Sequence, residues 1–240
     1  MGSIPSVLHS LNTGEISLRG QFDWGSNHTF LVDVVTANGP LLAVYKPSKG
    51  VRPLWDFPSD TLALREVAAF WTSQALGWDL VPPTVSREDG PAGGGSLQLY
   101  LNLDPASSYF TLSEDEKQLL RPAALYDLLI NNADRKAGHV ILMPDGRIQL
   151  IDHGICFHEQ YKLRTVIWDF AGEAIPTALL EDLERLAPKL EDRGSSLRPD
   201  LARLLSSTEI KALRDRIFNL LSDRQFPEPG PRQNYPWPLV

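Results

Sequence analysis

The chain has 240 residues, 42% of them hydrophobic and 22% charged, with 30 acidic side chains against 23 basic ones and a formal net charge of −7. That length and apolar content allow one large domain or two modest lobes and exclude a mainly disordered chain. The acidic balance argues against a general affinity for nucleic acid or an anionic membrane, so any phosphate site must be local.

The lone cysteine, Cys156, cannot form an intrachain disulfide and reads as a small buried hydrophobe. The opening residues show neither a basic n-region nor an apolar h-region, and no run approaches the roughly eighteen apolar residues of a spanning helix. A soluble cytoplasmic protein is the expectation, with no membrane or nucleic-acid partner.

The first third of the chain reads as strands. Residues 16–19, 29–35 and 41–45 are short β-branched and aromatic runs, and Asn38-Gly39 is a hairpin signal between the last two. Beyond a connection over 47–58, Ser59 or Asp60 can cap a helix with Leu64, Val67, Ala68 and Trp71 at helical spacing, ended by Gly77. Strands over 84–86 and 97–101 flank the glycine-rich run 88–95, which is expected to be a flexible turn. From Ser113 the texture becomes helical. Ser113 and Glu116 have capping-box spacing, and the apolar positions through Ile130 predict one long buried helix, with Pro122 in its first turns or dividing it. Residues 140–143 and 148–151, joined by Pro144-Asp145-Gly146, predict a β-hairpin. Helices follow over 178–190, 197–205 and 210–221, then a proline-rich tail, either docked or loose. The expected organisation is an α+β chain with a sheet lobe over 1–104, a mainly helical lobe over 105–225 and a tail over 226–240.

Four features along this frame carry chemistry. Gly20 to Asn27 form a glycine-containing turn between strands; the spacing of Gly20 and Gly25 is that of a P-loop, but Ser26 stands where the lysine belongs and a strand follows. It is a flap whose backbone amides at Gly25, Ser26 and Asn27 cover phosphates, or a plain hairpin turn. Lys46 ends an apolar strand; it can reach phosphate oxygens with Glu66 holding it in place, or be an exposed strand-end lysine. Asp134, Arg135, Lys136 and His139 occupy a polar loop that a buried helix runs into. Last, the strand 148–151 ends in Asp152-His153-Gly154, and a carboxylate there suits a divalent cation held against a phosphate.

In this order, the Lys46 strand, the Glu66 helix, Asn131-x-x-Asp134-Arg135 with a possible ligand at His139, and Ile151-Asp152-x-Gly154 together resemble the protein-kinase-like fold. The nearest variant is the phosphatidylinositol 3- and 4-kinase group, especially type II lipid kinases and small bacterial proteins filed with them, with a more distant likeness to toxin kinases of the high-persistence type. The resemblance spans roughly residues 14–170. It implies a two-lobed fold with an antiparallel-sheet N-lobe and a helical C-lobe, and ATP as cofactor with Mg²⁺ or Mn²⁺. Lys46 would contact the α and β phosphates, Glu66 would position Lys46, Asp134 would orient and deprotonate the attacking hydroxyl, and Asp152 would hold the cation. Backbone groups at Leu99 and Leu101 would meet adenine. Arg135 is read as a buried partner of Asp152 or its neighbours, or as a phosphate contact; Lys136 as a γ-phosphate contact or a solvated lysine.

His139 stands where the family has asparagine. It is either a second metal ligand, favouring Mn²⁺ over Mg²⁺, or a histidine that hydrogen-bonds the catalytic loop. His153 is read as a packing residue. The acidic charge and the absence of a basic amphipathic helix favour a protein or small-molecule hydroxyl over a phosphoinositide. Three functions remain open: a phosphotransferase, a nucleotidyl transferase using the same fold, and a nucleotide-binding module with little catalysis.

Overall fold

The computed structural model describes residues 3–22, 28–37, 39–102, 107–192, 194–231 and 233–240. The sheet lobe is a five-stranded antiparallel sheet built from β1 (Glu15–Gln21), β2 (Phe30–Thr36), β3 (Gly39–Pro47), β4 (Thr84–Gly90) and β5 (Gly93–Leu99), in the order β1-β2-β3-β5-β4. The hairpin read between β2 and β3 is present, in register from Phe30 opposite Tyr45 to Thr36 opposite Gly39, although Asn38 itself lies outside the described residues. One face of the sheet buries Val32, Val34, Ala43, Tyr45, Val85, Leu97 and Leu99.

That face is covered in part by a helix the sequence reading did not assign, α1 (Ile4–Thr13). Pro5 sits at its start, where a missing N–H costs nothing, and Val7 and Leu11 recur at i, i+4 to pack on the sheet core. Two buried apolar positions in ten residues are a weak periodic signal, and only the sheet beneath makes sense of them.

The glycine-rich run is not a flexible turn. Gly93, Gly94 and Gly95 belong to β5, and the turn shrinks to Pro91-Ala92. Glycine is needed because the chain packs closely there: a Cβ on Gly95 would lie 2.3 Å from the Lys46 carbonyl oxygen, and one on Gly90 would lie 2.6 Å from the Tyr45 ring. Tyr45 lies across this stretch, donating its hydroxyl to the Gly93 carbonyl and accepting the Ala92 N–H at 3.3 Å. The glycines therefore seat the residue immediately before Lys46.

The helix read from a cap at Ser59 or Asp60 begins later: those residues lie in a 3₁₀ turn over Ser59–Thr61, and α2 (Leu62–Leu76) follows it, closed as expected by Gly77 at φ 76°, the left-handed conformation glycine adopts without strain. The long helix predicted after Ser113 is divided: α3 (Glu114–Lys117), a 3₁₀ turn over 118–120, then α4 (Arg121–Ile130), with Pro122 in the first turn of α4. The second hairpin is β6 (Val140–Leu142) with β7 (Ile148–Leu150). α5 (Thr177–Glu191), α6 (Leu197–Ala202) and α7 (Ser207–Asp223) complete the helical lobe, and Leu180, Leu183, Leu186 and Leu190 form the buried stripe of α5. Leu179 is half-buried beside that stripe.

The proline-rich tail is docked. Phe226 exchanges hydrogen bonds with Gly172 and Glu173, the Asn234 carbonyl accepts the Thr165 N–H at 3.0 Å, and the Leu239 carbonyl accepts the Ala137 N–H at 2.8 Å. The boundary read near residue 104 falls in 103–106, outside the described residues. No helix among the described residues is long and apolar enough to cross a membrane.

Candidate functional site

The site is assembled where β3, α2, the loop after α4 and the end of β7 converge. Lys46 Nζ bridges two carboxylates, donating to Glu66 Oε1 and, at 2.8 Å, to Asp152 Oδ1. Burial works against the Lys46 charge, but Asp152 and Glu66 outweigh it and hold the ammonium protonated, above the ordinary lysine range. Glu66 is buried, and its second oxygen accepts the His153 backbone N–H at 2.9 Å. One glutamate thus orients both the lysine and the segment that carries Asp152.

The turn at the end of β7 is made by Asp152 itself, at φ 62°, rather than by Gly154, which has ordinary room for a Cβ. The left-handed conformation is uncommon outside glycine, though aspartate tolerates it better than most residues. It is held by the bonds on either side: Ile151 N–H to the His139 carbonyl at 3.2 Å, and His153 N–H to Glu66. Desolvation opposes ionisation of Asp152, yet Lys46 and then His139 outweigh it, and its carboxyl sits well below the usual carboxylate range.

The loop that carries Asp134 is over-determined. Asn131 ends α4 at φ 55°, and its amide donates to the carbonyls of His158 and Gln160 and accepts the Lys162 N–H. Asn132 accepts the Asp134 N–H at 2.9 Å and donates to Asp127. The Asp134 carboxyl, partly buried and near Asp152, is pushed up to about 6 by desolvation, with Lys136 at 3.7 Å and Arg164 opposing the rise.

Arg135 is wholly buried. Its guanidinium donates to both oxygens of Asp127 at 3.0–3.1 Å, to the Ile151 carbonyl at 2.6 Å and to the His153 ring at 2.8 Å. These are the neighbours of Asp152, and a phosphate cannot reach a guanidinium so enclosed. Of its two readings the buried partner stands, and its role is to join the Asp134 loop to the Asp152 turn. Asp127, which sequence reasoning treated as one more position on a buried helix, is the counter-ion that makes this possible, and it also accepts the Thr165 hydroxyl at 3.0 Å. The available signal was a carboxylate among the apolar positions of α4, eight residues before an arginine.

His139 lies with Nε2 3.4 Å from Asp152 Oδ2, while its Nδ1 accepts the Lys136 N–H at 3.3 Å. These contacts select the neutral tautomer with the proton on Nε2, facing Asp152. Desolvation lowers its pKa to about 4, so the ring is neutral near pH 7. Among the described residues no cluster of three or more His, Cys, Asp or Glu side chains could hold a metal alone. Asp152 offers one carboxylate, and a cation there would need phosphate oxygens to complete its shell.

Of the other predicted positions, Gly25, Ser26 and Asn27 lie outside the described residues. On either side of them, Gln21 ends β1 and Phe22 donates to the Thr29 carbonyl. Leu99 cannot offer its N–H to a base: it donates to the Pro83 carbonyl at 2.9 Å, because the chain through Pro82-Pro83 bends against the end of β5. Leu101 is buried, and among the described residues its N–H makes no backbone hydrogen bond.

An antiparallel sheet with a Lys–Glu pair, facing a helical lobe whose two loops present Asp134 and Asp152, defines the protein-kinase-like fold, and solved structures agree. The Golgi casein kinase with Mn/ADP bound superposes with a TM-score of 0.62 at 18% identity, over 91% of this chain and 74% of that one. The Helicobacter pylori proinflammatory kinase CtkA gives 0.55 at 12%, over 90% and 94%. Among curated proteins, Protein Rv2133c of Mycobacterium tuberculosis (strain ATCC 25618 / H37Rv) is 38% identical over an alignment of 263 positions, covering 95% of this chain and 93% of that protein. The chain belongs to the family of Rv2133c. Phosphatidylinositol 4-kinase gamma 4 of Oryza sativa subsp. japonica is 29% identical over 174 positions, 60% of this chain but 30% of that protein. No protein-family model matches the chain.

Proposed function

We propose that the protein is an ATP-dependent phosphotransferase that moves the γ-phosphoryl group to a protein or small-molecule hydroxyl. The observation that carries this reading is the preassembled cluster: Lys46 held between Glu66 and Asp152, with Asp134 presented beside Asp152. A scaffold has no need to hold a buried glutamate on a lysine, or an aspartate in a left-handed turn against it. The likeness to kinases in fold, and the nucleotide and manganese of the Golgi casein kinase, support the same class of chemistry and cofactor.

In this reading Lys46 is a fixed positive charge for the α and β phosphates, and Glu66 prevents its collapse onto Asp152 alone. Asp152 holds the divalent cation, Mg²⁺ or Mn²⁺, whose contribution is to neutralise phosphate charge. Of the two roles read for His139, the geometry supports the hydrogen-bonding one: its Nε2–H faces Asp152 and steadies the carboxylate. Asp134 accepts the hydrogen bond of the acceptor hydroxyl and takes its proton as the new P–O bond forms and the bond to the β-phosphate oxygen breaks, releasing ADP. Backbone amides of Gly25, Ser26 and Asn27 are read as phosphate contacts, and Leu101 as the backbone that meets adenine.

Incubation with γ- and α-labelled ATP in Mg²⁺ and Mn²⁺ tests the proposal. Transfer of γ-label alone is expected; transfer of α-label means nucleotidyl transfer, and nucleotide binding without any transfer means a binding module. Asp134→Asn should lower γ-transfer by about 10²–10⁴-fold and leave ADP affinity intact. Intact transfer by this variant refutes the assignment of the base.

A further inference from the structure

We infer that Arg164 is the anchor for an anionic group on the acceptor, which makes the substrate a small-molecule alcohol that already carries a phosphate or carboxylate. The inference rests on the phosphotransferase reading and names the substrate class of that same site.

Arg164 is locked alongside the reactive loop. Its N–H donates to the Asn132 carbonyl at 2.8 Å and its carbonyl accepts the Arg135 N–H at 2.9 Å, so these bonds bracket Asp134. Its charge acts on the Asp134 carboxyl. The side chain is half-buried, and among the described residues its guanidinium has no hydrogen bond and no ion pair. Among the described residues, four other cations near Asp134 and Asp152 are engaged: Lys46 with Glu66 and Asp152, Lys136 with Asp134, Lys162 with Asp56 at 3.0 Å, and Arg135 with Asp127. In a chain with seven more acids than bases, an arginine left unpaired beside the reactive carboxylate marks a place for an anion from outside. The guanidinium fork suits two oxygens of a phosphate or carboxylate.

A peptide is the poorer fit. A peptide acceptor that docks by strand pairing needs an open backbone edge, and the backbone on either side of Asp134 is already paired. Residues 162–166 bond to the Asp134 loop through Asn131, Asn132 and Arg135, while the tail bonds to Thr165 and Ala137 through Asn234 and Leu239. A side-chain anchor next to Asp134 remains.

The test compares the intact wild-type chain with Arg164→Ala and Arg164→Lys. Matched acceptors, glycerol with glycerol 3-phosphate and inositol with inositol 1-phosphate, are offered with labelled ATP, beside phosphatidylcholine vesicles with and without phosphatidylinositol and an acidic serine peptide. Wild type should prefer a phosphate-bearing alcohol. Arg164→Ala should raise its KM about tenfold, the loss of one charge-assisted hydrogen bond, with a smaller change in kcat, and Arg164→Lys should recover part of the loss. The soluble and vesicle arms tell a free phosphoalcohol from a lipid headgroup. Preference for the neutral partner or for the peptide, or a phosphate preference that Arg164→Ala leaves intact, overturns the inference. Should none of these acceptors be used, inorganic phosphate titrated into the ADP–Mg²⁺ complex decides: binding that Arg164→Ala weakens supports the anchor, and equal or absent binding overturns it. Failure of wild type to bind ADP at all overturns both this inference and the phosphotransferase reading, whereas ADP binding without an Arg164-dependent anion site overturns this inference alone.

Discussion

The sheet and α2 lie next to each other in the chain but bury their apolar residues in different cores. The sheet has its own core, built from β2 to β5 and α1. Ala68, Ala69, Phe70 and Leu76 of α2 instead join the large core of the helical lobe, and the helix packs on α5 and α6 on one side and on β4 and β5 on the other. Arg65, buried over the Phe57 ring, donates to the Cys156 carbonyl at 2.6 Å and pairs with Glu209, the same carboxylate that caps α7 through Ser206. Tyr126 of α4 donates its hydroxyl to the Ala69 carbonyl. Glu66 therefore sits on a helix whose buried apolar face belongs to the core of the helical lobe, and of the candidate phosphate-binding charges only Lys46 comes from the sheet. The lesson is that a helix is assigned to a lobe by what its apolar face touches, not by the strands that flank it in sequence.

The largest test of this division is the buried pair that unifies the helical lobe's loops. Arg135→Leu leaves the Asp127 carboxylate buried without its partner and should cost about 3–5 kcal/mol in urea unfolding; a loss below about 1 kcal/mol would mean the pair does not organise the loop. Arg65→Leu should cost about 2 kcal/mol, because Glu209 keeps its capping bonds to Ser206. Hydrogen exchange sharpens the comparison: the amides of α2 should be protected to the level of α4 and above those of β1 and β2, and Arg65→Leu should lower that protection. Exchange of α2 together with the sheet would break it. Glu66→Gln, which weakens the ion pair between β3 and α2 but leaves Lys46 its bond to Asp152, should cost about 1 kcal/mol and raise the ADP dissociation constant.

The smallest expected effect is on pH dependence. With the Asp134 carboxyl at about 6, the base is protonated below that value and cannot take the acceptor's proton, so kcat should fall about tenfold per pH unit below 6 and level off above it. Lys136 favours the ionised form, and Lys136→Met should move this limb to higher pH. His139, at about 4, stays neutral across that range and adds no second limb near pH 6.5; such a limb, lost in His139→Asn, would show that the ring titrates in the site.

Much of the site was legible because phosphoryl transfer needs particular charges at particular ends of elements. Lys46 at a strand end, Glu66 on the next helix, Asp134 past a buried helix and Asp152 past a short strand could be read in order, and the structure brings them within reach of one another. Asp127 was not legible as a counter-ion, because pairing eight residues apart across a helix end depends on the left-handed turn at Asn131. Nor was the strand character of Gly93 to Gly95, since glycine signals a turn unless a neighbour such as Tyr45 demands the space.

The sequence by itself determined the order of most strands and helices, α1 excepted, through periodicity and turn chemistry, and the identities of the charges that can serve phosphate. Only the tertiary structure decided which of them stand together and which are spoken for. Arg135 is sealed behind the loop by Asp127, while Arg164, equally basic on paper, has no side-chain ion pair among the described residues and acts on Asp134. The physical reason is that a charge's role is set by desolvation and by its partners, and both come from chain segments tens of residues away.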